Sequence, residues 1–245
     1  AFEDNMAATY SVGWIDCAAK GEALGRSLVM LGEHIEPGEV PPRYRATPFR
    51  TPHRRKKTFP MNAPGFALNP LSVRAFNALY YWNGARQEGQ SIVDWDGYFY
   101  PLDAILKWNR LYGRKGFMQF QCVLPQDSAR EGLHRLMTAI SESGQASFLS
   151  VLKRFGPQDS PFSFPMEGYT LALDFPRHAR AIALMPELDA ITLDHGGRFY
   201  LAKDSRVPAE TFATADPRAA AFAQWRRDNG LADAFASAQS ERLHL

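Results

Sequence analysis

Apolar and polar positions change their period along the chain, and those changes mark the elements. The first residues, Ala1 to Met6, read as an amphipathic helix entered part-way, and Thr9 to Asp16 reads as a strand. Between residues 36 and 97 periodicity fades. Pro37, Pro41, Pro42, Pro48, Pro52, Pro60, Pro64 and Pro70 exclude long helices there until about Ser72. A helix then runs from Ser72 to Trp82, with Gly84 just past its end. From Tyr98 the pattern becomes regular. Gly116 to Pro125 alternates as a strand, and Asp127 to Ser143 places Leu133, Leu136, Met137 and Ile140 on one helical face before Gly144 stops it. Ser147 to Phe155 is the next strand. The order recurs with a strand from Tyr169 to Phe175, a helical stretch from His178 to Asp194, a Gly196-Gly197 stop and a strand from Arg198 to Ala202. Pro186 implies either a kink or two short helices.

Two strand–helix–strand units in series predict an α+β fold, an antiparallel or mixed sheet with helices packed on one face. A C-terminal helical tail from Pro208 to Leu245 follows, read as two helices that dock through Phe212, Phe222, Trp225, Leu231 and Phe235. Composition changes this picture little. The chain has 245 residues, 45% of them hydrophobic and 22% charged, enough for a sizeable core. No apolar run approaches the roughly 20 residues that span a bilayer. The N-terminus has neither the pattern of a signal peptide nor an initiator Met, so the expectation is a piece whose start lies upstream. Cys17 and Cys122 are the two cysteines, too few for a disulfide framework, and a reducing, cytoplasmic compartment is expected. A net charge of +2 gives no reason to expect a nucleic-acid partner. The aromatic content of 13% is the unusual figure, because aromatic walls with a few polar groups line pockets for flat or sugar-like ligands.

Strand alternation sorts the candidate chemistry by face. One face of Phe117 to Leu124 carries Met118, Phe120, Cys122 and Leu124 and fits a core. The other carries Phe117, Gln119, Gln121 and Val123. Paired glutamines offer donors and acceptors to sugar hydroxyls, or else simply face solvent. In the strand from Tyr169, Thr170, Ala172 and Asp174 share a small, polar face. Lys153 projects on the Val151 face, as an anion ligand or as a surface lysine. Lys203 closes the strand after Gly196-Gly197, as a desolvated cation or as a salt-bridged strand end. The run His53-Arg54-Arg55-Lys56-Lys57 is a solvated, disordered loop or a contact for phosphate or lipid. RNA binding ranks behind both, since no aromatic RNP-like strand appears. No histidine or cysteine spacing fits a metal, and no glycine loop fits a phosphate, so a nucleotide cofactor needs a domain beyond this chain.

Several stretches together resemble one family. They are Tyr98 to Asp103, Trp108 to Gly113, Gly116 to Gln121, Ser147 to Pro157, Gly168 to Pro176 and Gly196 to Arg206. In order, they resemble the polyprenylphosphoryl-ribose 2-oxidases, FAD flavoproteins of the vanillyl-alcohol-oxidase type. The resemblance runs from about Tyr10 to Leu245 and is weakest in the proline-rich middle.

The resemblance implies roles by position. Lys203 matches a catalytic lysine beside flavin and substrate, and Tyr200 and Asp174 match residues on the flavin side. Trp14, Phe99, Gln119, Gln121, Lys153 and Ala172 match the substrate pocket. Phe99 stands where mycobacterial members carry a tyrosine, Ala172 where they carry a cysteine, and Ala238 replaces an aspartate of the closing run. The implied reaction is hydride transfer from a ring hydroxyl carbon to flavin, giving a ketone that a partner reductase completes into a 2-epimer, a cell-wall arabinan precursor. The implied division is a substrate domain over residues 1–197 and a segment, 198–245, that packs on an FAD-binding domain outside this chain. A polyprenyl phosphate would bring peripheral membrane contact. The alternatives are an FAD-linked oxidase of another sugar, aldonolactone or alcohol, and a non-enzymatic anion- or RNA-binding module.

Overall fold

The computed structural model describes residues 1–50 and 55–245. A 3-10 turn at Glu3–Asn5 precedes the antiparallel hairpin of β1 (Tyr10–Ile15) and β2 (Ser27–Gly32). The proline-rich stretch holds α1 (Pro42–Arg45), β3 (Lys57–Thr58), α2 (Pro70–Ala85), α3 (Trp95–Phe99) and β4 (Ile105–Leu106), with β3 and β4 paired in parallel. Then come β5 (Phe117–Pro125), α4 (Gln126–Ser143), β6 (Ser150–Phe155), β7 (Gly168–Pro176), α5 (Ala179–Asp194) and β8 (Arg198–Phe199). The chain closes with α6 (Ala209–Ala215), α7 (Arg218–Asp228), α8 (Leu231–Ala234) and α9 (Ala238–Leu243).

The main sheet has six strands in the order β2-β1-β6-β7-β5-β8, and its pairings are antiparallel. The units β5–α4–β6 and β7–α5–β8 interleave, each placing one strand of the other between its own. This is the split β-α-β arrangement of ferredoxin-like sheets. The expected α+β architecture is borne out, with α4 and α5 together on one face. From the helices Leu136, Ile140, Leu184 and Leu188 are buried there, and from the strands Phe120, Cys122, Leu171, Leu173 and Phe175. Each large apolar side chain so buried contributes on the order of 1.5–3 kcal/mol. That commits one face of the sheet to the core and leaves the other for different use.

Local chemistry sets the ends. Gly144 terminates α4 in the left-handed region at φ 69°, where a Cβ would be strained. Gly168 begins β7 at φ 148°, and a Cβ there would lie 2.0 Å from the Leu124 carbonyl oxygen. The Asn69 side chain caps α2 by accepting from the Leu71 and Ser72 N–H groups, so that helix starts two residues before Ser72.

Other expectations are corrected. The first residues form no helix entered part-way. Phe2 is buried against Gly13 and Tyr169, and the Glu3 carboxylate accepts from Tyr169, Gln126 and Arg154. Pro186 lies inside one continuous helix, on its exposed side, where the carbonyl it leaves unpaired costs least. β8 is two residues long because the chain turns at Leu201–Lys203, with the Lys203 N–H donating to the Tyr200 carbonyl. The tail is four short helices rather than two. Phe212 joins the core, whereas Trp225 and Phe235 are exposed. His53 and Arg54 of the basic run lie outside the described residues, and its last member, Lys57, is in β3. No helix among the described residues is long and apolar enough to cross a membrane.

Candidate functional site

Register builds the site. Trp14 on β1 lies opposite Val151, Val151 opposite Ala172, and Ala172 opposite Gln121, so one row of side chains crosses four strands. Gln119 pairs with Asp174 in the next row on one side, and Lys153 pairs with Thr170 on the other. Directly opposed residues share a face. Trp14, Gln119, Gln121, Lys153, Ala172 and Asp174 therefore occupy a single face, opposite α4 and α5.

The hydrogen bonds change what the glutamines offer. Gln119 Nε2 donates to Asp174 Oδ1 at 2.7 Å, and Gln121 Nε2 donates to Thr170 Oγ1 at 3.0 Å. Thr170 in turn donates to the Cys122 carbonyl. Each glutamine has thus spent one amide N–H on a residue of β7, directly opposite for Gln119 and diagonal for Gln121. Among the described residues the amide oxygens of both glutamines accept no hydrogen bond.

Asp174 is 3% exposed. Burial pushes its carboxyl up, while the Gln119 bond and the charge of Lys203 pull the other way. Its second oxygen, Oδ2, is buried and has no partner. Tyr112 lies in the field of Asp174, is 6% exposed, and likewise has a buried hydroxyl with no partner. Its phenol is pushed up by burial and by that carboxylate. Two buried polar atoms without partners thus lie within one another's electrostatic reach beside the polar face, an unusual concentration of unsatisfied groups.

Lys203 is not at a strand end. The turn after β8 holds it half-buried in the fields of Asp174 and Lys153. Burial holds its ammonium below the ordinary lysine value, Asp174 raises it, and Lys153 lowers it again. Among the described residues it closes no ion pair, so the salt-bridged alternative is set aside for Lys203. The ion pairs of this turn belong to its neighbours. Asp204 meets Arg242 at 2.6 Å, and Arg206 grips Asp189 with two bonds of 2.6 and 2.7 Å. Those anchors hold the turn over the polar face. Tyr200 donates its N–H to the Gln121 carbonyl and packs its ring on Phe164 at 4.7 Å.

An aromatic run borders the face. It passes from Trp14 to Tyr80, Phe76, Phe148, Tyr112 and Phe117, with ring centroids 4.7, 6.0, 5.6, 5.5 and 4.7 Å apart. The Trp14 indole N–H is spent on the Phe148 carbonyl, so the ring acts as a wall. Phe99 is not part of this run. Its ring partners are Tyr10, Tyr98 and Tyr100. Sequence reasoning missed Tyr112 and Thr170. Tyr112 carried no strand periodicity, and Thr170 was sorted to the right face without a partner that would give it a role.

Fold and candidate site together define an α+β protein with α4 and α5 on one side of its sheet and, on the other, a polar face walled by aromatic rings that include those of α2. No family model matches the chain. It is 34% identical over 240 residues to the decaprenylphosphoryl-β-D-ribose oxidase of Mycolicibacterium smegmatis (strain ATCC 700084 / mc(2)155), covering 97% of this chain and 51% of that protein. It is 28% identical over 245 residues to an uncharacterized protein in the mprA 5' region of Streptomyces coelicolor, covering 97% of this chain and 66% of that one. The chain thus spans about half the length of the first relative. The similarity bears out the resemblance read from the sequence: over nearly its whole length the chain is similar to one half of a decaprenylphosphoryl-β-D-ribose oxidase.

Proposed function

We propose that this chain supplies the substrate-binding side of an FAD-dependent oxidoreductase that oxidises the 2-hydroxyl of a polyprenylphosphoryl ribose to a ketone. The carrying observation is the single polar face, with Gln119, Gln121 and Asp174 on the sheet and, in the field of Asp174, a Lys203 that closes no ion pair among the described residues. The similarity to an oxidase named for that substrate supports the choice.

When bound, FAD supplies the hydride acceptor. The orphaned Asp174 Oδ2 and Tyr112 hydroxyl, and a lysine with no carboxylate in contact, suit a hydrogen-bonding ring system that carries negative charge. Tyr200, Asp174 and Lys203 are the residues proposed to meet it. Gln119 Oε1 and Gln121 Oε1 accept from sugar hydroxyls, and Trp14 walls off water. Ala172, small and in the central row, leaves room for the ring. Lys203 would steady the alkoxide as the hydroxyl passes its proton to a base, its half-buried ammonium being less screened than one in open solvent. Lys153 adds positive charge two rows from Asp174.

Residues 1–197 are the proposed substrate domain, and 198–245 the proposed contact with an FAD-binding domain. The ketone product requires a reductase as partner to complete a 2-epimerisation. Peripheral membrane contact is proposed for the proline-rich stretch, where Phe49, Met61, Phe66 and Leu71 are 93, 68, 78 and 75% exposed beside Arg43, Arg45 and Lys57.

The test is anaerobic flavin bleaching by the complete protein. Farnesylphosphoryl ribose should bleach bound flavin, and Lys203→Met should abolish it. Bleaching by aldonolactones or simple alcohols alone would move the assignment to another oxidase of the same class. Absence of flavin from the complete protein would end the reading and leave an anion- or RNA-binding module.

A further inference from the structure

An open cavity of about 480 Å³ lies at the Phe117 end of the polar face, lined by Asn62, Asn109, Arg114, Lys115 and the glycines Gly113 and Gly116. Its size falls in the range of roughly 300–1,000 Å³ usual for ligand sites. The lining contains two cations, two side-chain amides and no acid. Among the described residues neither Arg114 nor Lys115 is engaged by a carboxylate. The walls are built rather than incidental. Arg110 donates to the Phe59 and Pro60 carbonyls, and its own carbonyl accepts from Ala63, binding one strap to the other. Gly113, at φ 70°, lies so close to that strap that a Cβ would be 2.8 Å from the Ala63 carbonyl oxygen. Gly116, also at φ 70°, turns the chain back into β5. The turn thus holds Arg114 and Lys115 at the mouth of the cavity.

We propose that this cavity is a phosphate subsite, taking a phosphate monoester or diester through the Arg114 guanidinium and the Lys115 ammonium, with Asn62 and Asn109 as further donors. The planar guanidinium fork of Arg donates to two phosphate oxygens at once, and Lys adds a point charge. Phe117 lines the cavity, and Gln119 stands two residues further along the same face, about 7 Å away at strand rise. That offset lets one ligand place a phosphate in the cavity and a sugar ring over the glutamines. The assignment rests on the proposed function only in naming that ligand, and it places the phosphate here rather than at Lys153.

Calorimetric titration of the protein with inorganic phosphate and with farnesylphosphoryl ribose tests it. Arg114→Ala combined with Lys115→Ala should weaken both by about tenfold or more, while Lys153→Ala changes phosphate affinity less than about twofold. Both cations are exposed, and an unchanged melting temperature verifies folding in the variants. Phosphoester binding at least about tenfold tighter than inorganic phosphate assigns the subsite to the substrate headgroup, and equal affinities assign it to free phosphate. Equal binding by parent and double variant, or a larger loss from Lys153→Ala, overturns the proposal. Phosphate binding needs no redox step, so a protein that binds phosphate here yet oxidises no sugar would sink the proposed function and leave this site standing.

Discussion

Gln119 and Asp174 face each other across β5 and β7, and the 2.7 Å bond between them satisfies one oxygen of a buried carboxylate and leaves the other without a partner. A buried carboxyl oxygen without a partner is costly, and groups so perturbed cluster at functional sites. The arrangement makes this pair the stiffest test of the site.

Gln119→Ala removes the donor and should destabilise the protein by about 1–3 kcal/mol, the cost of leaving a buried acceptor unpaired. Urea denaturation checks this. An unchanged midpoint would mean that water replaces the glutamine at no cost.

Asp174 has a folded pKa above its ordinary value, so the folded protein holds that proton more tightly than the unfolded chain does. Its contribution is fully present below the ordinary carboxylate range and is lost as pH rises through the raised value. Asp174→Asn should therefore flatten the fall in stability with rising pH, measured as denaturation midpoints from acid to neutral pH. A parent-like slope in the variant would assign the pH dependence elsewhere.

Lys203 behaves in the opposite sense, its folded value being depressed. Its contribution is present above the ordinary lysine value and is lost as pH falls through the lowered one. Removing the Asp174 charge should depress its titration further, and Lys153→Ala should raise it. Titration of the reductively methylated lysines by carbon NMR reads both shifts. If neither variant moves the Lys203 resonance, the three groups do not share one field.

Burial pushes the Cys17 thiol up to about 11 and the Cys122 thiol up to about 12. Neither should react with iodoacetamide at pH 8 in the folded protein, and both should react in denaturant, as mass spectrometry would count. Rapid labelling of native Cys17 would place it at the surface.

Arg206 spends two bonds on Asp189, which is 5% exposed. Arg206→Ala strands that carboxylate and should cost about 3–5 kcal/mol, more than loss of an exposed pair. The same change frees the turn that carries Lys203. Binding of the proposed sugar substrate should weaken even under conditions where the variant remains folded, and wild-type affinity there would show that the turn is held by other contacts.

Much of the site was legible because a strand has a period of two. Alternation alone put Gln119 with Gln121, and Ala172 with Asp174, and it kept Phe120, Leu171 and Leu173 for the core. Helix periodicity with Gly144 as a stop was equally local, so α4 lies within a residue of its expected start. Phe99 was harder to place. It is near the expected pocket in sequence only through its resemblance, and packing against Tyr10 takes it to the β1–β2 edge.

The sequence by itself determined which residues could share a face, because that follows from backbone geometry within one strand. It did not determine which strands lie side by side. Strand register is a contact between distant residues, and it alone decided that Gln119 serves Asp174 and that Gln121 serves Thr170. The height of Lys203 above the sheet depends on ion pairs made by Asp204 and Arg206 with partners elsewhere in the chain. Period assigned the polar face; long-range packing tied each glutamine to a partner on β7 and left Asp174 Oδ2 without one.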